Sequence, residues 1–419
     1  MHVRVVFIVM FLSIFLHANE RITELEEKLL ELTKRLDSFE NKEIKEEPKK
    51  QFDLQDKTIY SIGGRIDFQT SIGSQKGELY AHKKLLLEDE AGANTNKLNM
   101  TARASRLWFK TRTPTEYGPL RTLIELDFKG TISEGSERTT NGHGARLRHA
   151  YAQIGMLTIG QTNSTFNAFA VVDTVSYIIN DTLVRQPLVR ISYESGGFGY
   201  DLSFEKPEST LINKHGIIYT PKDDIAPDII ARARYYPSWG EAAFTIMGRC
   251  IVQNNMEIND TKLPNSDRAY GYGVNISTKI KSFGNDDIVI NAQYGLGLGR
   301  YIAYSAYPAG FVTENGEIKL QESFGWHVGY RHMWSKDWRS TLAWGYVESK
   351  NDKNIEEVNK KLANKKLANK KASSIQANLF YNLIQNGFVG IEYIKGLREV
   401  ESGNKGKLDM ALLIFRYDF

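Results

Sequence analysis

Apolar and polar side chains alternate with a period of two along most of the chain, which is the pattern of β-strands with one apolar face. Near the start of this region, Ile62, Ile66 and Phe68 occupy one face, whereas Arg65 and Asp67 occupy the other. Sixteen segments show the pattern, at 58–72, 101–112, 119–130, 145–155, 156–165, 188–195, 198–206, 227–236, 240–252, 268–281, 287–299, 321–334, 337–349, 372–383, 387–399 and 407–419. An even number of antiparallel strands is typical of single-chain outer-membrane barrels.

The connectors between these segments alternate in length. The short ones contain Pro, Gly or Asp, whereas the long ones are polar and span 73–100, 131–144, 166–187, 207–226, 253–267, 300–320 and 350–371. Short turns at one end and long loops at the other are the arrangement of a membrane barrel. We therefore predict an all-β fold, a 16-stranded antiparallel transmembrane β-barrel over residues 57–419, preceded by a short N-terminal coiled-coil helix.

The first 18 residues predict a signal peptide. Arg4 precedes the apolar stretch Val5–Leu16, and Leu16-His17-Ala18 resembles a cleavage site with a small residue at its end. The alternative is a membrane anchor. The apolar stretch disfavours an anchor because a spanning helix needs about 20 apolar residues.

Residues 19–41 carry apolar side chains at alternating spacings of three and four, which is the seam of a coiled coil. The seam consists of Ile22, Leu25, Leu29, Leu32, Leu36 and Phe39. A seam this short is marginal alone, so we expect it to associate where a larger contact already holds the chains together. Residues 42–56 form a charged linker, in which Pro48 ends any helix. The alternative is an amphipathic helix packed on its own barrel.

The composition agrees with a barrel. Mean hydropathy is −0.39, but lipid-facing and water-facing residues cancel in this average. The net charge is +4 for the chain, and residues 57–419 hold 45 basic and 38 acidic side chains. Cys250 has no partner for an internal disulfide, and the eight histidines are dispersed without metal-ligand spacing. We therefore expect no cofactor, no metal and no nucleic-acid partner.

Charged side chains share the face opposite the lipid-facing residues. A charge facing lipid would cost about 2–4 kcal/mol at mid-bilayer, so these residues are predicted to line a hydrated lumen. The predicted lining cations are Arg65, Arg106, Lys110, Arg121, Arg146, Arg148, Arg190, Arg232, Arg234 and Arg249. Acidic residues are fewer there, and rings of Arg or Lys favour anions in pores. The alternative is that the arginines balance the inner acids and stiffen the wall.

The loop at 166–187 differs from the others because it is apolar and aromatic, and it ends with Asp181 and Arg185. An exposed loop would not carry so much apolar surface. We predict that it folds into the barrel and packs on the wall. The facing strands supply Arg146, Arg148 and Arg190, so the narrowest point of the pore is predicted here.

Several stretches resemble the DcaP-like family of trimeric outer-membrane porins. They lie at 105–118, which contains Arg-Leu-Trp-Phe-Lys-Thr-Arg-Thr-Pro, and at 125–128, 147–151, 160–166, 390–393 and 397–399. With the predicted helix-plus-barrel layout, the resemblance covers nearly the whole chain. It implies a homotrimer, a periplasmic N-terminal coiled coil, and uptake of small anionic solutes such as dicarboxylates through an arginine-lined constriction.

We therefore expect a porin of the bacterial outer membrane, in contact with lipid and with its own copies, that passes small hydrophilic anions by passive diffusion. The alternatives are a phosphate-selective porin and a non-conducting surface adhesin barrel. An outer-membrane hydrolase is disfavoured, because no Gly-flanked serine motif accompanies His149, and His327 and His332 lie on opposite faces. We expect no enzymatic activity.

Overall fold

The structure is a computed structural model that describes residues 28, 31, 57–74, 88, 93, 95–130, 140–169, 171–180, 183–213, 218–221, 224–254, 257–258, 261–262, 267–313, 315–350, 353 and 369–419. The predicted signal peptide, the linker 42–56 and all six seam residues of the predicted coiled coil lie outside these described residues. The strands all belong to the structural unit Leu54–Phe419. Among the described residues, no helix is long and apolar enough to cross a membrane.

The strands follow the predicted segments closely. Numbered in chain order, they are β1 (Ile59–Gly73), β2 (Lys97–Thr101), β3 (Arg106–Thr113), β4 (Leu120–Asp127), β5 (Arg146–Ile154), β6 (Leu157–Asn163), β7 (Arg185–Ser195), β8 (Phe198–Glu205), β9 (Leu211–Asn213), β10 (Ile218–Tyr219), β11 (Asp228–Tyr235), β12 (Gly240–Gln253), β13 (Glu257–Ile258), β14 (Thr261–Lys262), β15 (Asp267–Lys281), β16 (Asp287–Leu296), β17 (Gly310–Val312), β18 (Ile318–Leu320), β19 (Glu322–Met333), β20 (Trp338–Lys350), β21 (Asn369–Ile384), β22 (Gly387–Val400) and β23 (Lys405–Asp418). A short 3-10 helix spans Gly299–Tyr301.

The main sheet closes on itself. Each strand pairs antiparallel with its neighbour, and β23 returns to pair with β1, with Arg65 opposite Asp418 and Gly73 opposite Met410. Both β2 and β3 pair with β1, one above the other, and together form one strand of the wall. The closed 16-stranded antiparallel barrel predicted from the sequence is thus confirmed. The predicted segment 101–112 is divided, because the backbone N–H of Asp67 donates to the Ser105 hydroxyl instead of a ladder carbonyl.

The two faces of the wall separate as the period of two requires. On β1, the side chains of Ile62, Ile66 and Phe68 are exposed on the outside, whereas Asp67 and Gln69 are buried on the inside. Long connectors lie at one end of the barrel and short turns at the other. Bacterial outer-membrane barrels have short turns on the periplasmic side, so we assign the turn end of this barrel to the periplasm.

Two long connectors contribute most of the largest apolar cluster, and this cluster lies inside the barrel. We call residues 164–184 the third loop and residues 297–321 the sixth loop. Phe166 and Ile179 of the third loop pack with Leu298, Tyr301 and Tyr307 of the sixth, and the cluster also includes wall residues of β11, β12, β20 and β21. A separate small sheet joins the sixth loop to the fourth loop (residues 206–227). In this sheet β17 pairs in parallel with β9, and β10 and β18 complete it.

Candidate pore constriction

The third loop is held against the inner wall by backbone hydrogen bonds to a carboxylate. The backbone N–H groups of Val175 and Ser176 donate to the two oxygens of Glu392 on β22, at 2.8 and 2.9 Å. Asn378 on β21 donates to the same carboxylate at 3.2 Å and to the carbonyl of Asp173 at 2.9 Å. These bonds satisfy loop donors that would otherwise be buried without partners.

Polar side chains anchor the two ends of this contact. Near one end, Arg339 on β20 donates to the Asp173 carboxylate at 2.7 Å. Near the other, the Asn180 amide donates to Asn291 at 2.9 Å and accepts from Gln293 at 2.8 Å. The loop therefore lies across the inner faces of β16 and β20–β22, and the pore is confined to the opposite side of the barrel.

Glycines in the wall make room for the apolar side chains of the loop. At Gly329 a Cβ would lie 2.6 Å from a methyl carbon of Val172, and at Gly345 it would lie 2.8 Å from Ile178. Real side chains do not approach so closely, so these two positions admit the loop only as glycines. The prediction that the apolar loop folds inward agrees with this geometry.

The sixth loop covers one of the predicted pore-lining residues. The Arg249 side chain is fully buried, and it donates to the carbonyls of Gly297 and Leu298 at 2.7 and 3.1 Å. It also pairs with Asp228 at 3.1 Å, whose other oxygen accepts from the Tyr301 hydroxyl at 2.8 Å. The assignment of Arg249 to the pore lining is therefore wrong. Its face was predicted correctly, but a loop occupies the space in front of it.

Two tyrosines, one from each inner loop, meet where the loops approach the pore. The rings of Tyr177 and Tyr304 are 5.2 Å apart between centroids. Tyr304 lies in a run of three residues, Ala303 to Ser305, with φ of 43°, 55° and 59°. This left-handed conformation is uncommon for residues other than glycine and is often retained at functional sites.

The wall opposite the third loop is basic. Arg146 pairs with Asp127 at 2.7 Å, and Arg148 pairs with Glu125 at 2.5 Å and with Asp127 at 2.9 Å. A bulge in β5 opposite Glu125 and Leu126 breaks the alternation, so that Arg146, Arg148 and His149 all face the lumen. The carboxylates of Glu125 and Asp127 hold these guanidinium groups in place.

Three more cations join this wall. Arg106 lies 3.5 Å from Glu125. Arg185, at the start of β7, forms no hydrogen bond or ion pair within the described part of the chain, although it interacts electrostatically with Arg148, Tyr177 and Tyr304. Lys129 follows β4 and lies close enough to Asp67, Tyr177 and Arg146 to interact with each of them. We call Arg106, Lys129, Arg146, Arg148 and Arg185, with Glu125 and Asp127, the basic wall.

The remaining predicted lining residues lie elsewhere in the barrel. Arg65 pairs with Asp418 at 2.5 Å, and Arg232 and Arg234 share Asp201 at 2.9 and 3.1 Å. Arg190 faces the lumen beside this second group. Lys110 and Arg121 lie near the turn end, and Asp181 lies outside the described residues.

Sequence reasoning included Tyr177 in the predicted constriction loop but did not single out Lys129, Tyr304 or Glu392 as parts of the constriction. Lys129 lies in the predicted segment 119–130, just beyond the end of β4, and Tyr304 belongs to a connector, where alternation gives no facing. Glu392 was recognised as an inner acid, but its contact with the third loop joins residues 216 positions apart. The sixth loop contains many apolar residues, as the third loop does, and only this likeness could have indicated that the sixth loop also enters the barrel.

A closed barrel with alternating turns and loops, an inward constriction loop and a charged lumen defines a porin of the bacterial outer membrane. Comparison with known proteins agrees. The chain belongs to the Porin_2 family, described as a porin subfamily, which matches residues 57–395. It is similar to the porin Omp2b of Brucella suis, with 28% identity over 166 residues, or 34% of this chain and 43% of that protein. The match therefore spans less than half the length of this curated relative.

Solved structures show the same fold. The outer-membrane channel DcaP of Acinetobacter baumannii superposes with a TM-score of 0.72 at 22% identity, over 88% of this chain and 99% of that one. The DcaP-like resemblance noted in the sequence is thus confirmed. An anion-selective porin from Comamonas acidovorans superposes with a TM-score of 0.53 at 10% identity, over 86% and 100% of the two chains.

Proposed function

We propose that this porin passes small hydrophilic anions, with dicarboxylates as the preferred class, through the gap between the basic wall and the two inner loops. Five cations and two carboxylates make up the basic wall, so cations are in excess at this level of the pore. The observation that carries the proposal is Arg185, which faces this gap without a carboxylate partner among the described residues.

The ion pairs of the basic wall support the proposal instead of opposing it. At the Arg146–Asp127 pair the carboxylate lies behind the guanidinium group: the side chain of Asp127 is 2% exposed, whereas that of Arg146 is 43% exposed. A passing solute therefore meets the guanidinium group of this pair before it meets the carboxylate. Guanidinium binds carboxylate oxygens in a bidentate manner, which favours solutes with two such groups over chloride.

We also propose that the protein is a homotrimer joined through the wall of β3–β6. Of these strands, β4, β5 and β6 have 8, 9 and 7 residues, and β3 has 8 residues that the 5-residue β2 extends in the same strand of the wall. An 8-residue strand tilted by about 40° crosses about 21 Å, which is less than the apolar band of about 25 Å. The 14-residue strands β22 and β23 would cross about 36 Å. β8 and β11 also have 8 residues each, but β4–β6 are three short strands in a row, and a second copy would cover this part of the wall.

The outer face of this short wall fits a protein contact. It carries the small or polar side chains of Thr122, Ala150, Ala152 and Gln161 beside exposed apolar side chains such as those of Ile124 and Ile159. The Thr122 hydroxyl already bonds to that of Thr111 at 2.7 Å. The predicted coiled-coil seam at residues 19–41 would add a second contact between the same three chains on the periplasmic side.

Single-channel recording of purified protein in a salt gradient tests both proposals. We expect current to appear in three equal steps per insertion event and the reversal potential to lie on the anion side. A dicarboxylate such as succinate should block chloride current at lower concentration than acetate does. A cation-sided reversal potential would refute anion preference, and single steps would refute the trimer.

A further inference from the structure

Three cations lie at the turn end of the lumen, well below the constriction. Arg106 on β3 faces the lumen, where it contacts Glu125. Side chains two residues apart share a face of a strand, so Lys110 and Arg112 face the lumen as well. Arg121 on β4 is directly opposite Arg112. We call Lys110, Arg112 and Arg121 the rim cluster.

The rim cluster differs from most of the other lumen arginines because it has no acidic partner among the described residues. Arg65, Arg106, Arg146, Arg148, Arg232 and Arg234 each contact a carboxylate. Within the described part of the chain, the rim cluster forms no ion pair or hydrogen bond. The Lys110 ammonium lies 5.7 Å from the centroid of the Trp108 ring, as a cation–π contact. All three side chains are exposed. The turn between the strands carries one acid, Glu116, and it is not paired with them.

The arrangement is unfavourable without a ligand. Like charges directly opposite on paired strands destabilise a sheet, and Arg112 and Arg121 occupy such a pair. On the neighbouring strands, Lys110 is opposite Ser61 of β1 and Leu123 of β4, and Arg121 is opposite Gln153 of β5. None of these carries a negative charge. The cluster therefore offers ten guanidinium N–H donors and an ammonium to whatever anion enters.

We propose that Lys110, Arg112 and Arg121 form a second anion-binding site at the periplasmic mouth, which takes small solutes with carboxylate or phosphate oxygens. Two guanidinium groups side by side suit an anion with several oxygens, because each can form a bidentate pair. The role of this site as the last binding site on an anion pathway rests on the proposed function. Anion binding at the site depends only on the geometry of the rim cluster.

The test measures block of single-trimer current by inorganic phosphate, added first to one side of the bilayer and then to the other. A site at one mouth requires that the half-blocking concentration differ between the two sides. Replacing both arginines, in Arg112→Gln/Arg121→Gln, should raise the lower of the two values by about tenfold, because two charge-assisted pairs are lost. The higher value should change much less.

The matched control is Lys281→Gln/Lys336→Gln, which removes two exposed cations at the same end of the barrel but on the opposite wall. It should keep the sidedness of the wild type. If the rim variant also keeps it, the inference is overturned, whatever the reversal potential shows. If the wild type prefers cations yet loses sided block in the rim variant alone, the site stands and the proposed function fails.

Discussion

Replacing Glu392 by glutamine tests how the third loop is held inside the barrel. Both carboxylate oxygens accept a backbone N–H of the loop, from Val175 at 2.8 Å and from Ser176 at 2.9 Å. Glutamine has the same shape but keeps only one oxygen. Its amide N–H₂ would face one of the two donors, and that loop N–H would lose its partner.

The structure sets the size of the effect. Ser176 is 1% exposed, so water cannot replace the lost acceptor. Leaving a buried donor unsatisfied costs about 1–3 kcal/mol. At about 2 kcal/mol, the ratio of displaced to seated loop would rise about 30-fold. The loop would still be held by Asp173 and Asn180, so the barrel is expected to fold and insert.

Single-channel current noise is the appropriate measurement, because a loop that leaves the wall changes the cross-section of the pore. We expect Glu392→Gln to show frequent brief changes in conductance that the wild type lacks. Glu194→Gln is the control: it removes one lumen carboxylate near the turn end, where Glu194 pairs with Arg234 and contacts no inner loop. Equal noise in the wild type and both variants would refute the role of Glu392 in seating the loop.

Four further predictions concern the pore and the trimer. Arg185→Gln should move the reversal potential towards zero without lowering thermal stability, since Arg185 has no ion pair among the described residues; loss of folded barrel instead would show a structural role. Arg148→Gln, by comparison, should destabilise the barrel, because it leaves Glu125 and Asp127 buried with fewer partners. Burial lowers the pKa of Lys129 to about 8; its charge is therefore present at pH 7 and lost as the pH rises to 9, so anion preference should fall over this interval, and a Lys129→Met variant should show no such step. Deleting residues 20–47 should lower the temperature at which the trimer dissociates on a gel while leaving folded barrels, and unchanged dissociation would contradict the coiled-coil contact.

The positions of the strands could be read from the sequence because alternation in a barrel wall is under strong constraint. A shift of one residue would turn Asp67 and Arg65 towards lipid and Ile66 towards water. The same constraint made the inner face of Arg146, Arg190 and Arg232 predictable. It does not operate in connectors, which is why the position of Tyr304 was missed.

Ion pairing between neighbouring strands on the lumen face was not predictable from the pattern. Arg148 reaches both Glu125 and Asp127 because of the bulge in β5, and a bulge inserts one residue without a clear sequence signal. The sequence predicted two roles for the lumen arginines, which were to attract anions or to balance the inner acids. Both roles apply, but to different arginines. Most arginines near the constriction have a carboxylate partner, whereas Arg185 and the rim cluster have none among the described residues.

The sequence by itself determined the fold class, the strand count, the face on which each strand residue lies, and the inward folding of an apolar loop. These follow from local periodicity and from the cost of placing charge in lipid or apolar surface in water. Only the tertiary structure decided which inner residues meet water and which lie beneath a loop. Arg249 and Arg185 are both arginines beside an inner loop, yet Arg249 is sealed under the sixth loop, whereas Arg185 lies near Tyr177 and Tyr304 without an ion pair among the described residues. The reason is that loop seating depends on contacts between residues far apart in the chain, such as Ser176 with Glu392, which no local pattern records.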